Sequence, residues 1–390
     1  MTTYTESDER RELRRQVAKL AGTYGREWFT ERARAGEKTT ELWQEIARHG
    51  YLGINLPEEY GGGGGGIGDT AAVCEELAAQ GCPLLLMVVS PAICGTIIAR
   101  YGTDEQKRRW LPGIADGTGT MAFAITEPDA GTNSHNITTT ARRDGDEWLL
   151  TGRKIYISGV DEADHVLVVA RTEDARTGRL KPCLFVVPTH AEGFEARPIP
   201  MEIVSPELQF QVFLDDVRLP AHALVGDPMN VGDAGLVQLF AGLNPERIMA
   251  ASFSTGLARF ALDRAAAYAK ERVVFKTPIG AHQAIAHPLA QSHIEIELAR
   301  LMTQKAAALY DAGDDLAAGE AANMAKYAAA EAACDAADRA VQAHGGNGIT
   351  QEYGMAGLLV ATRAGRIAPV SREMILNYVA MHSLGLPKSY

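Results

Sequence analysis

The stretch Phe123-Ala-Ile-Thr-Glu-Pro-Asp-Ala-Gly-Thr132 decides how this chain is read. It opens as a short apolar strand that includes Ile125, then breaks into a loop. There Pro128 fixes one φ angle and Gly131 frees another, with the hydroxyls of Thr126 and Thr132 on either side. Such a loop can set backbone amides and hydroxyls against a flat polar ligand. Further on, Lys154-Ile-Tyr-Ile-Ser158 places the aromatic Tyr156 and the hydroxyl of Ser158 on one strand, which suits stacking on a ring and bonding to its edge. Taken singly, each segment is equally a turn or strand of an ordinary sheet, so the decision falls to the flanking chain.

Upstream, residues 1–118 read as all-helical. Ser7 starts a helix whose apolar Leu13, Val17, Leu20 and Tyr24 recur at three and four residues, and Thr40 opens a second that Gly50 stops. Six glycines, Gly61 to Gly66, read as a mobile connection. Helical patterns resume from Thr70 to Gln80 and from Ile93 to Tyr101. Thr103 with Gln106 forms a capping box for a helix expected to stop at Pro112.

Downstream, the period changes to two. Asp144-Gly145 is a hairpin signal, and strands read at 165–169, 183–187 and 208–214, giving a β domain, barrel or sandwich, over 119–226. From Leu236 helix returns, with long patterns from Pro245, Pro288 and Leu316. The last is rich in alanine, as suits close helix packing, and ends at His344-Gly-Gly-Asn-Gly348. A final helix spans 372–382. The fold class is therefore α+β multidomain, with a C-terminal four-helix bundle over 227–390.

Composition narrows the function. A length of 390 residues, 46% hydrophobic and 22% charged, supports two or three cores. The net charge of −11, with basic residues interleaved among acidic ones, argues against nucleic-acid binding. Five scattered cysteines without Cys-x-x-Cys spacing suit free thiols in a reducing cytoplasm, and none of the ten histidines has metal-ligand spacing. No apolar run reaches membrane-spanning length, and the N-terminus opens as charged helix, so a cytoplasmic location is expected.

Asn244-Pro245-Glu246-Arg247 is the second place of interest. Asn at an N-cap and Pro at the first helical position predict a helix start, with Glu246 in its first turn. Glu246 there either complements the helix dipole or acts as a base; the dipole lowers its pKa and an apolar ligand raises it. Arg272-Val-Val-Phe275 and His282-Gln283 put a cation, an aromatic and an amide near a helix end, a set suited to a pyrophosphate-bearing cofactor or to a plain surface.

The order of these motifs, completed by Gln342-Ala-His-Gly-Gly-Asn-Gly348, resembles the acyl-CoA dehydrogenase family over essentially the whole chain. The resemblance implies a helical, a β and a four-helix domain, FAD between the last two, and a homotetramer. By the same resemblance, Phe123, Ile125, Thr126, Gly131, Thr132, Tyr156 and Ser158 line the flavin, with Thr132 also near the thioester. Arg272, Phe275, Gln283, Gln342, Gly345 and Gly346 look like the groups that a neighbouring subunit brings to the FAD adenine and pyrophosphate. Ser371 and Glu373 resemble those that complete the site from the last helix.

One departure matters. In the common members the base is a glutamate in a loop after the Gly-Gly-Asn-Gly motif, and that position here is Pro369, which can neither abstract a proton nor offer an N–H to the thioester carbonyl. One of two carbonyl donors is then missing or replaced. The isovaleryl-CoA and long-chain branch instead carries its base at the start of the C-terminal domain, and Leu243-Asn-Pro-Glu-Arg-Ile248 resembles that branch, with Glu246 on the base. Asn244 stands where aspartate is frequent, beside Arg247, and both are expected at the substrate. The implied reaction is α,β-dehydrogenation of an acyl-CoA or acyl-carrier-protein thioester to the trans-2-enoyl product. Glu246 takes the α-proton, the β-hydride goes to flavin N5, and an electron-transfer flavoprotein is the expected acceptor. The alternatives are an oxidase or monooxygenase using O₂, or a non-catalytic flavoprotein.

Overall fold

The computed structural model describes residues 6–174, 177–227 and 233–388. The N-terminal helices are α1 (Asp8–Gly22), α2 (Gly25–Ala35), α3 (Thr40–Arg48), α4 (Ile67–Ala79), α5 (Leu85–Met87), α6 (Thr96–Tyr101) and α7 (Asp104–Asp116). A π-helical segment, Val88–Gly95, joins α5 to α6. Ser7 caps α1 by accepting the Arg10 N–H, and Thr103 and Gln106 form the expected capping box. Pro112 does not end α7. Leu111 just before it and Ile114 and Ala115 beyond it are buried, while Pro112 and Arg108 face water, where the carbonyl released by the missing N–H can be solvated.

The glycine run is a folded strap rather than a loose connection. The Gly62 to Gly65 amides donate to Pro57, Gly53, Leu56 and Ile54 carbonyls, and a Cβ on Gly62 would sit 2.1 Å from the Leu56 oxygen. Its end, Gly66, caps α4, whose Ile67 and Gly68 N–H groups donate to the Asp311 carboxylate at 2.7 and 3.1 Å.

The central domain is one seven-stranded sheet curled into a half-barrel. Its strands are β1 (Met121–Ala124), β2 (Thr140–Asp144), β3 (Glu147–Ser158), β4 (His165–Glu173), β5 (Leu180–Pro188), β6 (Phe194–Ile199) and β7 (Gln209–Pro220). β4 carries β5 along one edge and β1, then β2, along the other; β2, β3, β7 and β6 continue the order. The β2–β3 hairpin turns at Asp144-Gly145, with Gly145 at φ +64°.

The C-terminal helices are α8 (Asp233–Glu271), α9 (Gln283–Asp311), α10 (Asp315–His344), α11 (Met355–Gly365) and α12 (Arg372–Tyr378), with a small hairpin, β8 (Val273–Val274) and β9 (Thr277–Pro278), between α8 and α9. Ala318, Ala322, Ala325, Ala329, Ala333, Ala337 and Ala340 line the buried face of α10 and let its neighbours approach closely.

Asn244-Pro245 is not a helix start. α8 runs straight through Pro245, which leaves the Ala241 carbonyl four residues earlier without its N–H. The Tyr310 hydroxyl of α9 donates to that carbonyl at 3.1 Å in a buried setting. Pro288 likewise lies inside α9 rather than at its start. If the Tyr310 hydroxyl makes the interrupted helix tolerable, Tyr310→Phe will destabilise the protein by about 1–2 kcal/mol in chemical denaturation. In a Pro245→Ala background, where the amide returns, the same change will cost clearly less; equal costs would remove this role for Tyr310.

Candidate active site

Three elements meet at the carboxyl end of β1. The loop that follows β1 is strapped to β3: the Ile155 N–H donates to the Thr126 carbonyl at 2.9 Å, and the Lys154 ammonium donates to the Ile125 carbonyl at 3.0 Å and to Glu127 at 2.9 Å. Glu127 also accepts from the Thr138 hydroxyl at 2.8 Å, the Thr139 N–H at 2.9 Å and the Thr138 N–H. Both charges are almost fully buried. Burial alone would raise the Glu127 pKa, but Thr139, Lys154 and Thr138 outweigh it and hold the carboxyl at about 2. Neither Glu127 nor Lys154 was singled out from the sequence, where each looks like a surface charge.

This strap aims the candidate ligand face. Tyr156 sits at φ +58° at a break in the β3–β7 register and leaves its ring 58% exposed beside Thr126. Thr132 and Gly131 are exposed on the loop, Thr126 and Ile125 partly so. Gly131 does not take a positive φ, so the loop does not use the φ freedom read for that glycine. Phe123 is packed into the core, so it offers backbone rather than ring, and the Ser158 hydroxyl is paired with the Gln209 amide. An exposed aromatic held in a strained conformation beside a row of hydroxyls and amides fits a flat polar ring such as that of a flavin.

Glu246 lies inside α8 rather than at a helix end, so the dipole contributes little. Burial pushes its carboxyl up to about 7, partly opposed by the cations of Arg247 and Lys326. The buried Cys94 thiol, from the π-helical segment, feels the Glu246 charge and reaches the Ala122 carbonyl of β1 at 3.6 Å, which ties the carboxylate to the loop side of the sheet. Gly242 permits this approach: a Cβ there would lie 2.6 Å from Ile97. The Asn244 amide donates to the Asp315 carbonyl at 3.1 Å and accepts from Arg247 at 3.4 Å, while Arg247 Nε has no partner. Lys326 was missed, although a lone lysine on the alanine face of α10 was a visible signal.

The remaining candidates lie elsewhere. Arg272, Phe275, Gln283, Gln342, Gly345 and Gly346 are all exposed, Phe275 at φ +51° on the β8–β9 hairpin. Stacking of Tyr268 on His344 and the Asn347 to Tyr268 hydrogen bond hold the two sets at one end of the bundle. Along α8, the step from Glu246 to Arg272 spans about 39 Å at the helical rise, so one protomer does not bring both groups to one ligand end. Ser371 caps α12 by accepting the Met374 N–H, and Glu373 is exposed.

Profiles of the acyl-CoA dehydrogenase N-terminal, middle and C-terminal domains match residues 7–118, 122–216 and 233–384. The acyl-CoA dehydrogenase FadE12 of Mycobacterium tuberculosis is 65% identical over 389 residues, covering 100% of this chain and 99% of that relative. The mouse mitochondrial long-chain specific acyl-CoA dehydrogenase is 33% identical over 353 residues, covering 90% of this chain and 81% of its own. The structure of a glutaryl-CoA dehydrogenase from Mycobacterium smegmatis in complex with FADH2 superposes with a TM-score of 0.89 at 28% identity, covering 99% of this chain and 96% of that one.

Removing the strap should expose its weight. Lys154→Met leaves the Glu127 charge buried and unpaired, at a cost on the order of 3–5 kcal/mol in denaturant unfolding, and Glu127→Gln added to it should recover a large part. A Lys154→Met protein as stable as wild type would contradict the burial described here.

Proposed function

The chain belongs to the acyl-CoA dehydrogenase family, as an FAD-dependent oxidoreductase of acyl thioesters, and from that premise we propose that Glu246 is the base that takes the α-proton. What supports this is the setting of Glu246: a buried carboxyl raised to about 7, linked through Cys94 to β1, with cations on two helices and only Pro369 at the loop position that carries the base in other members. A base with a pKa near neutrality is stronger than an ordinary carboxylate and still about half ionised at pH 7, which suits removal of a weakly acidic proton.

The residues suited to hold the flavin ring are Ile125, Thr126, Thr132, Tyr156, Ser158 and the backbone of Phe123, with Gly131 leaving the loop surface open. Bound there, FAD supplies the acceptor for the β-hydride. Arg247, oriented by Asn244, keeps an unpaired Nε next to the base and is suited to the thioester substrate, together with Thr132. Pro369 offers no amide to the thioester carbonyl, so the chain contributes one donor fewer there.

The exposed Arg272, Phe275, Gln283, Gln342, Gly345 and Gly346 are read as serving the FAD of a second protomer, with Ser371 and Glu373 at the adjoining edge. The distance along α8 supports this, as does an apolar stripe on α9, Ile294, Leu298 and Leu301, exposed at helical spacing. A homotetramer with an electron-transfer flavoprotein as acceptor is the corresponding assembly. The domain limits are read as 1–118, 119–226 and 227–390, a reading that the changes from helix to sheet and back support. Five buried free thiols suit a reducing cytoplasm.

Glu246→Gln will retain its yellow FAD but slow anaerobic bleaching by acyl-CoA by about a hundredfold or more. Full-rate bleaching would remove Glu246 from the chemistry. In the wild type, a raised carboxyl pKa means that the active, ionised form is lost as pH falls, so kcat/KM should decline on the acid side with a midpoint near 7. A midpoint near 4 would mean that burial does not act on the base.

A further inference from the structure

The buried face of α10 is mostly alanine, and Lys326 is the one lysine or arginine on it. Lys326, 2% exposed, shares it with Ala322, Ala325, Ala329 and Ala333. Its ammonium donates to the Val370 carbonyl, in the segment between α11 and α12 that contains Pro369. α8 and α10 run side by side in the same direction: Asn244 lies against Gly319, and Ala258 packs with Ala332, Ala333 and Ala336. Lys326 is therefore rooted beyond the level of Glu246, and helical side chains lean toward the N-terminus, which carries its ammonium back toward Glu246 and Arg247.

We propose that Lys326 is a positioning residue for the reaction: its ammonium ties residues 367–371 to α10 and supplies the second cation, beside Arg247, that stabilises the Glu246 carboxylate. This rests on Glu246 being the base. The charged groups around the pair come from four elements. Glu246 faces Arg247 on its own helix, Lys326 on α10 and Cys94 on the π-helical segment. Lys326 faces Arg247 and Glu246 from α8, Glu331 from α10 and Glu373 from α12, and Arg247 also faces Tyr378 of α12. Burial, and after it Arg247, lowers the Lys326 ammonium to about 8, so it is still charged where Glu246 titrates. A methionine would fill the same volume without losing the hydration of a cation. What the lysine adds is charge and a donor, and both are directed at the loop and the base.

The test uses the FAD-loaded enzyme and the variants Lys326→Met, Lys326→Arg and Glu246→Gln. Three measurements are made: an infrared titration of the buried carboxyl without substrate, its band identified by loss in Glu246→Gln; amide exchange of the peptide covering residues 367–372; and anaerobic bleaching against pH with whichever of butyryl-, isovaleryl-, octanoyl- and palmitoyl-CoA reduces the wild type. Losing a neighbouring cation disfavours the carboxylate, so Lys326→Met should raise the carboxyl midpoint by about one unit. It should also move the acid limb of the bleaching profile by the same amount and speed exchange in the loop about tenfold. Lys326→Arg, which keeps the cation and a donor, should restore most of all three. An unmoved carboxyl midpoint in Lys326→Met, with Glu246→Gln inactive, overturns the role of Lys326 alone, even if loop exchange rises. Continued bleaching by Glu246→Gln overturns the base, and with it the link between Lys326 and the reaction.

Discussion

Glu75 and Glu76, adjacent and buried on α4, are the pair on which the arrangement depends. Arg14 of α1 and Arg259 of α8 reach both carboxylates, and Arg300 of α9 reaches Glu75, all within 2.9 Å. Burial alone would raise the Glu75 pKa, but Arg14, Arg300 and Arg259 outweigh it and keep the carboxyl below its usual range. Two carboxylates buried side by side cannot stay ionised without cations on several sides. Satisfying them fixes the N-terminal helices in register with the C-terminal ones, and that register presents the π-helical segment, with Cys94, to α8.

The sheet joins this frame through fewer but equally directional bonds. The Glu207 carboxyl accepts the Leu85 and Leu86 N–H groups of α5, just ahead of the π-helical segment, and Gln106 of α7 donates to the His222 and Leu224 carbonyls. β1 is bonded to the same segment, with the Met121 N–H on Ser90 and the Ala122 carbonyl on Cys94. The Val88–Gly95 segment is therefore gripped by sheet and helices at once. That grip, together with the Glu127–Lys154 strap, fixes the broken strand end of β1 and, through Cys94, relates it to a carboxylate more than a hundred residues later in sequence.

What was legible in the sequence is what short-range rules determine. The change of period into and out of the sheet, the Thr103–Gln106 box, the Asp144-Gly145 hairpin and the alanine face of α10 depend on residues a few positions apart, and all of them formed. The misreadings share a cause. A proline ends a helix only when nothing else satisfies the carbonyl it releases. For Pro245 the Tyr310 hydroxyl, sixty-five residues away in sequence, does so, and for Pro112 water can. The glycine strap is held by carbonyls from residues 53–57, which six glycines in a row do not announce. β6 and α11 were not anticipated, nor was the buried pairing of Glu127 with Lys154, because a charge in sequence carries no mark of where its partner will be. Of the candidate site, the loop, Tyr156, Glu246 and Arg247 were legible as separate candidates, while the groups around Arg272 and Gln342 gather at one end of the bundle.

The error about Pro245 bears on the chemistry. At a helix N-terminus, unpaired amides would stabilise a carboxylate and lower its proton affinity. Inside a continuous helix those amides are used up, and Glu246 is left to burial, which raises its proton affinity, and to side-chain cations, which lower it. Burial outweighs the cations and leaves the group near neutrality, where a small change in either is felt as a change in the fraction ionised. With Glu246 as the proposed base, a rigid helix carries the reactive group and the loop before α12 need not. The loop can then hold a proline at position 369, provided another element fixes its place, and the ammonium on the Val370 carbonyl is such an element.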